Sequence, residues 1–281
     1  MSLQLIAISL MVLAIINCSG GKMDTTNKVI LPSIKDVPAE AWQKLAQKRI
    51  YFGHQSVGYN IIDGVKDIMK ENPNIKLNIL ETVNPSDFNA PIFGHSAIGE
   101  NTNPKSKIDA FTKTMKSGVG EKVDIAFFKL CYVDIGLTSD VSKIFDNNKS
   151  AMEQLKKEYP NVSLIYVTSP LTTPPTSTMD RIKRIIKMVI GRPVANIEDN
   201  IRREEFNGLV RKEFNSEKIV FDLALIESTF PDGSRVTFEK DGKVYPVLVP
   251  AYTNDGGHLN EIGRKVVAEQ FLIFLANLAN K

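Results

Sequence analysis

The feature that most constrains this chain is its changing hydrophobic period: from about residue 45, short apolar runs alternate with stretches of helical spacing. Arg49–Gly53 reads as a buried strand ending in glycine; Val57, Ile61, Ile62, Val65, Ile68 and Met69 then fall near helical spacing. Lys76–Leu80 alternates as a strand, Lys105–Met115 reads as a helix and Val123–Leu130 as a central strand. Ser142–Tyr159 is a helix stopped by Pro160, followed by a strand at Val162–Thr168 and a breaker-rich loop at Pro170–Pro175. A helix at Asn200–Phe214, a strand at Lys218–Leu223 and an apolar closing helix at His258–Leu278 complete the pattern. Alternation of this kind implies a mostly parallel sheet covered on both faces, a three-layer α/β/α sandwich. In such open sheets the working groups collect on loops beyond the carboxyl ends of the strands.

Composition narrows the function classes. Lys+Arg 35 against Asp+Glu 32 leaves a net charge of only +3, without the concentrated basic face that nucleic-acid binding requires. Two cysteines, Cys18 and Cys131, make no disulfide framework. Leu3–Ile16 is apolar apart from Gln4 and Ser9, too short to span a bilayer comfortably but suited to the core of a signal peptide. It ends at Asn17-Cys18-Ser19-Gly20-Gly21, which resembles a bacterial lipoprotein signal, whose cysteine is lipidated after cleavage. That resemblance implies a signal peptide at 1–17, a lipidated tether at 18–40 and one domain at 41–281. It also implies a membrane anchor at the cell envelope. A buried N-terminal helix is the other reading of the same residues.

Chemistry concentrates near the strand ends. The chain has three histidines: His54 after the first strand, His95 in the loop after the second and His258 at the start of the last helix. In Asp255-Gly256-Gly257-His258 the glycine pair permits a sharp turn, so acid and imidazole can face one another. A carboxylate on one ring nitrogen fixes the tautomer and leaves the other free to take a proton. Alternatively, Asp255 or Asn254 caps the closing helix. Ser56, in Tyr51-Phe-Gly-His-Gln-Ser-Val-Gly58, stands where a helix begins, as a cap or as a nucleophile beside exposed backbone amides.

Together these blocks resemble the SGNH (GDSL-like) hydrolases over roughly residues 46 to 275. "DGGHLNEIG" is similar to the family's C-terminal block, and "HQS" stands where the family has Gly-Asp-Ser. The resemblance implies a flavodoxin-like sandwich, ester hydrolysis without a cofactor, and three catalytic roles: Ser56 as nucleophile, His258 as general base and Asp255 as its orienting partner. It also implies an oxyanion glycine, Gly94 or preferably Gly99, and a side-chain donor after the third strand. At that last place "FFKLCYVDI" has no Asn; Cys131 occupies its position, and Lys129, Tyr132 or one of His54 and His95 is left to supply the donor.

Other features carry plainer alternatives. Cys131 also reads as a small buried hydrophobe and Lys129 as a snorkelling side chain, with Asp134 a candidate partner. The three imidazoles are enough for a zinc site but lack paired spacing, so no metal is expected. The basic stretch Arg181–Arg192 suits anionic lipid or the solvated face of an inserted helix, and 228–252 reads as a hairpin region beside His258. The function expected is an envelope-anchored esterase acting on a glycan or lipid ester. The rival is a surface lipoprotein that keeps the fold only to bind a ligand.

Overall fold

The structure is a computed structural model that describes residues 22–24, 28–174, 178–189 and 196–280. The apolar leader and Cys18 lie outside the described residues. In chain order the principal elements are β1 (Lys22–Asp24), α1 (Ala39–Ala46), β2 (Arg49–His54), α2 (Val57–Glu71), β3 (Ile79–Glu81), β4 (Ile92–Ala97) and α3 (Pro104–Thr114). They continue with β5 (Ile125–Phe128), α4 (Val141–Glu158), β6 (Ser163–Val167), α5 (Thr178–Val189), α6 (Asp199–Phe214) and β7 (Val220–Phe221). The last are α7 (Leu223–Glu227), β8 (Arg235–Lys240), β9 (Lys243–Pro246) and α8 (Glu261–Ala279).

Six strands form one sheet in the order β3-β4-β2-β5-β6-β7, every pairing parallel. Alternate residues of each strand feed opposite sides of the core, as a pleated backbone requires. Ile50 and Phe52 of β2, Ile125 and Phe127 of β5, and Ile165 and Val167 of β6 pack with α1, α2 and α8. Tyr51, Ala126, Phe128, Leu164 and Tyr166 pack with α3, α4 and α6. The fold is therefore a three-layer α/β/α sandwich. From β2 the chain runs through α2 to β3 and β4 on one side, then crosses to β5 on the other, so β2 is the topological switch point of the sheet.

Several boundaries differ from the periodic reading. Ile92–Ala97, expected to be loop, is an interior strand, so His95 lies within β4 and not after a strand end. The expected strand at Lys76–Leu80 is the short edge strand β3, and Lys218–Leu223 shrinks to two strand residues before α7. The closing helix starts at Glu261, capped by the Asn260 side chain on the Gly263 amide, which leaves His258 in the preceding loop. The β8–β9 hairpin turns at Asp241-Gly242, both at positive φ (51° and 71°), and its other edge pairs with β1. The chain is already tied to the domain before residue 41: Glu269 accepts from the Ile34 amide, and Gln270 donates to the Pro32 carbonyl.

The α2–α8 contact sets the geometry of the site. Both helices start at the carboxyl edge of the sheet. A Cβ on Gly64 would lie 2.3 Å from the Arg264 carbonyl oxygen and 2.8 Å from the Ala268 methyl, so glycine is required for the helices to approach so closely. Arg264 also pairs with Asp67 at 2.7 Å.

Arg203 is buried and donates to the Tyr132 and Ile135 carbonyls and to Thr172 and Asn200, which pins the loop after β5 to α6. Glu227 is fully buried; burial pushes its pKa up to about 8, against the opposing pull of the Leu171 amide and of Lys129 and Arg203. The folded protein thus holds a proton that the unfolded chain releases near 4.5, and stability falls as pH rises from about 4.5 to about 8. Glu227→Gln is expected to flatten this slope. Melting temperatures at pH 6 and pH 9 should show the variant gaining on wild type as pH rises, and parallel profiles would contradict the assignment.

Candidate active site

Strand β2 ends at His54, and the chain turns sharply into α2 through Gln55 and Ser56. Ser56 has φ 53° and ψ −110°, and its hydroxyl makes no cap bond to the helix. A positive φ at a non-glycine residue costs about 1–3 kcal/mol and persists only where the surroundings enforce it. Here the turn directs the hydroxyl away from the helix and toward His258.

The Ser56 hydroxyl donates to His258 Nε2 at 2.6 Å. His258 Nδ1 donates to Asp255 Oδ2, also at 2.6 Å. The other carboxylate oxygen of Asp255 accepts from the amides of Gly257 and His258 at 3.0 and 2.8 Å, so one side chain shapes the turn and orients the ring. Burial would raise the Asp255 pKa, but the His258 ring and these amides outweigh it and hold the carboxyl well below its ordinary range. The carboxylate therefore stays ionised, Nδ1 keeps its hydrogen and Nε2 is left to accept. Asn60, on the first turn of α2, accepts from the Leu259 amide at 3.1 Å and ties the histidine loop to the serine helix.

Gln55 joins three strand-end loops. Its side-chain amide donates to the carbonyls of Ile98 and Gly99, and its own carbonyl accepts from the Cys131 thiol at 3.7 Å. Gly99 has φ +55°, and a Cβ there would lie 2.6 Å from the Lys107 backbone nitrogen. The amides of Ser56 and Gly99 have no hydrogen-bond acceptor among the described residues. Gly94, the other oxyanion candidate, is interior to β4 against the Phe88 ring.

The remaining expected residues lie beneath the site. Cys131 is buried, and its thiol is directed to the Gln55 carbonyl. Lys129 is buried, does not snorkel, and donates to the Leu130 carbonyl and the Cys131 sulfur, while burial lowers its pKa. Asp134 pairs with Lys107, not Lys129, in a buried bridge of 2.6 Å that also accepts from the Cys131 and Thr102 amides. His54 Nε2 and His95 Nδ1 hydrogen-bond at 3.0 Å. Burial lowers both pKa values, that of His54 to about 2, so the pair is neutral. None of these four residues, Cys131, Lys129, His54 and His95, presents a polar atom to the triad. No group of three or more His, Cys, Asp or Glu among the described residues is arranged to hold a metal ion.

Tyr132 is the one named substitute that reaches the triad. Its ring meets the His258 ring edge-on at 5.6 Å, and its hydroxyl lies 3.5 Å from Nδ1, beyond normal hydrogen-bond length. A Cβ on Gly257 would lie 2.7 Å from the ring, so Gly257 makes room for it. Burial, with the Asp255 carboxylate beside it, pushes the phenol's pKa far up. The phenol is therefore neutral and keeps its proton beside the His258 ring. Asn60 and Gln55 are the positioning residues that periodicity and motif spacing did not single out. A separate open depression at the other end of the strands is lined by Lys44, Lys48, Arg49 and Asp124, where Arg49 and Asp124 neutralise one another.

No protein-family model matches the chain, and no curated protein matches it in sequence. Among solved structures it is similar to a candidate platelet activating factor from Streptococcus pneumonia (13% identity, 96% of this chain, 99% of that one, TM-score 0.48). It is also similar to the periplasmic domain of a lipopolysaccharide acetyltransferase from Salmonella ser. Paratyphi A (13% identity, 84% and 85% covered, TM-score 0.48). A candidate lipolytic protein of the G-D-S-L family from Desulfitobacterium hafniense is a third (10% identity, 80% and 99% covered, TM-score 0.42). Likeness at this distance leaves the chemistry to be argued from the site.

The Gly99 turn has no room for a side chain and a φ that disfavours one. Gly99→Ala is expected to lower stability by about 1–3 kcal/mol, measured by denaturant unfolding. Unchanged stability would show that the loop adapts freely.

Proposed function

We propose that the protein is a serine-dependent ester hydrolase. The observation that carries this reading is the hydrogen-bonded chain Ser56–His258–Asp255, with 2.6 Å at each link. Ser56 attacks the ester carbonyl while His258 takes its proton at Nε2; the same proton passes to the departing alkoxide, leaving an acyl-serine. Water then enters, again deprotonated by His258, and hydrolysis frees the acid and Ser56. Asp255 remains ionised and stabilises the imidazolium in both halves. The oxyanion is held by the Ser56 and Gly99 amides, with the Tyr132 phenol supplying the third hydrogen bond in place of a side-chain amide.

The triad opposes the rival reading of a ligand-binding protein without catalysis. A Ser56 backbone held at positive φ and a carboxylate aimed at the histidine serve no packing purpose that a Gly and an Asn would not serve better. The substrate class proposed is an O-acyl ester on a glycan or lipid, met at the cell envelope through an anchor at Cys18. Support for the envelope setting is the lipoprotein-like leader in the sequence.

Hydrolysis of short p-nitrophenyl esters tests both the reading and the part given to Tyr132. Ser56→Ala should lower kcat by roughly three orders of magnitude or more. Tyr132→Phe should lower kcat on the order of a hundredfold with KM little changed. A Ser56→Ala variant as active as wild type overturns the mechanism. A Tyr132→Phe variant with full kcat removes the phenol from it.

A further inference from the structure

Between β6 and α6 the chain carries α5 (Thr178–Val189), and five of its apolar side chains turn outward. Met179, Ile182, Ile185, Ile186 and Val189 are 62, 46, 49, 53 and 81% exposed. Their spacing places all five on one stripe of the helix. None of them joins either side of the core among the described residues. By the same period the positions of Arg181, Lys183, Arg184 and Lys187 fall on the remaining arc, with Asp180 the one acidic residue between Thr178 and Val189. A surface helix that only covers a core points its apolar stripe inward. This one offers the stripe to the surroundings and flanks it with cationic positions.

We infer that α5 is an interfacial helix that lies flat on an anionic lipid surface. Its apolar stripe enters the headgroup region, and its cationic flank meets lipid phosphates. Charge complementarity selects this occupant: a stripe flanked by basic residues suits an apolar layer with a negative rim, whereas two copies of the same helix would set like charges together. Twelve residues make a helix of roughly 18 Å, short of the roughly 30 Å hydrocarbon layer, so α5 lies on the bilayer and does not cross it. No helix among the described residues is long and apolar enough to span a membrane.

Its place in the chain ties this surface to the site. The loop that feeds α5 leaves the carboxyl end of β6, the edge that bears Ser56, and the Thr173 amide donates to the Gly256 carbonyl at 2.9 Å, inside the Asp255–His258 turn. Docking through α5 therefore holds the Ser56 edge close to the lipid surface. The inference does not rest on the esterase reading, because membrane binding is measured without turnover.

The test is flotation of the full chain with neutral phosphatidylcholine vesicles and with vesicles containing phosphatidylglycerol. Residues 1–21 contain no charged side chain, so they confer no preference for anionic lipid. The expected result is binding roughly tenfold or more tighter to the anionic vesicles at low salt, weakened by added salt. Ile182→Asp with Ile186→Asp should abolish that preference, and Lys183→Glu with Lys187→Glu should reduce it by a similar factor. Both pairs lie outside the catalytic machinery, so circular dichroism and turnover of a soluble ester should stay at wild-type values. Equal binding to both vesicle types, or anionic preference that survives both pairs, overturns the inference. So does a concentration-dependent dimer that Ile182→Asp with Ile186→Asp dissolves, which would assign the stripe to a second copy.

Discussion

The close contact of α2 with α8 is the constraint from which the site follows. Each helix starts at the carboxyl edge of the sheet, one just after Ser56 and the other just after the His258 loop, so the distance between the helices fixes the distance between hydroxyl and imidazole. Gly64 lets the Arg264 backbone come within reach of the α2 backbone, and the Asp67–Arg264 pair and the Asn60–Leu259 bond hold the register. Two residues 202 positions apart thereby meet at 2.6 Å. A bulkier residue at 64 would push the helices apart and open that link before disturbing either turn.

A second set of bonds fixes the loops on the far side of the serine. Gln55 spans to the carbonyls of Ile98 and Gly99 and accepts from Cys131, while the buried Lys107–Asp134 bridge joins the Gly99 loop to the loop after β5. Removing one member of such a buried pair strands a charge and typically costs about 3–5 kcal/mol. The lysine and cysteine that stand nearest to the expected donor position are thus structural. They support the turn that carries Tyr132, and the phenol alone extends from it to the triad. Arg203, donating to the Tyr132 carbonyl at 2.9 Å, steadies the same turn from α6.

The layered α/β architecture was legible because strand and helix periods differ, and the Asp255–His258 turn because two glycines between an acid and an imidazole leave few other uses. The meeting with Ser56 followed from placing both at strand ends. What periodicity missed has physical causes. Strand β4, Ile92-Phe-Gly-His-Ser-Ala97, mixes glycine and polar residues into an interior strand, because Gly94 makes way for Phe88 and His95 is satisfied by His54. A polar strand of this kind looks like loop, so His95 was expected at an edge. Lys129 is read from the sequence either as projecting into the pocket or as snorkelling to solvent, whereas the fold buries it with a lowered pKa. Asn60 and Gln55 left no signal, since a single amide on a helix or turn acquires its role only once a distant backbone is brought to it.

The central claim is that Ser56 is an activated nucleophile, its reactivity conferred by His258. Labelling with a fluorophosphonate, followed by peptide mapping, tests it most directly, because the probe bonds only to a serine whose proton is being removed. The account predicts a single adduct on Ser56 that disappears in a folded His258→Ala variant. Absence of any adduct on the folded wild-type protein, or labelling that persists at full rate without His258, would contradict it.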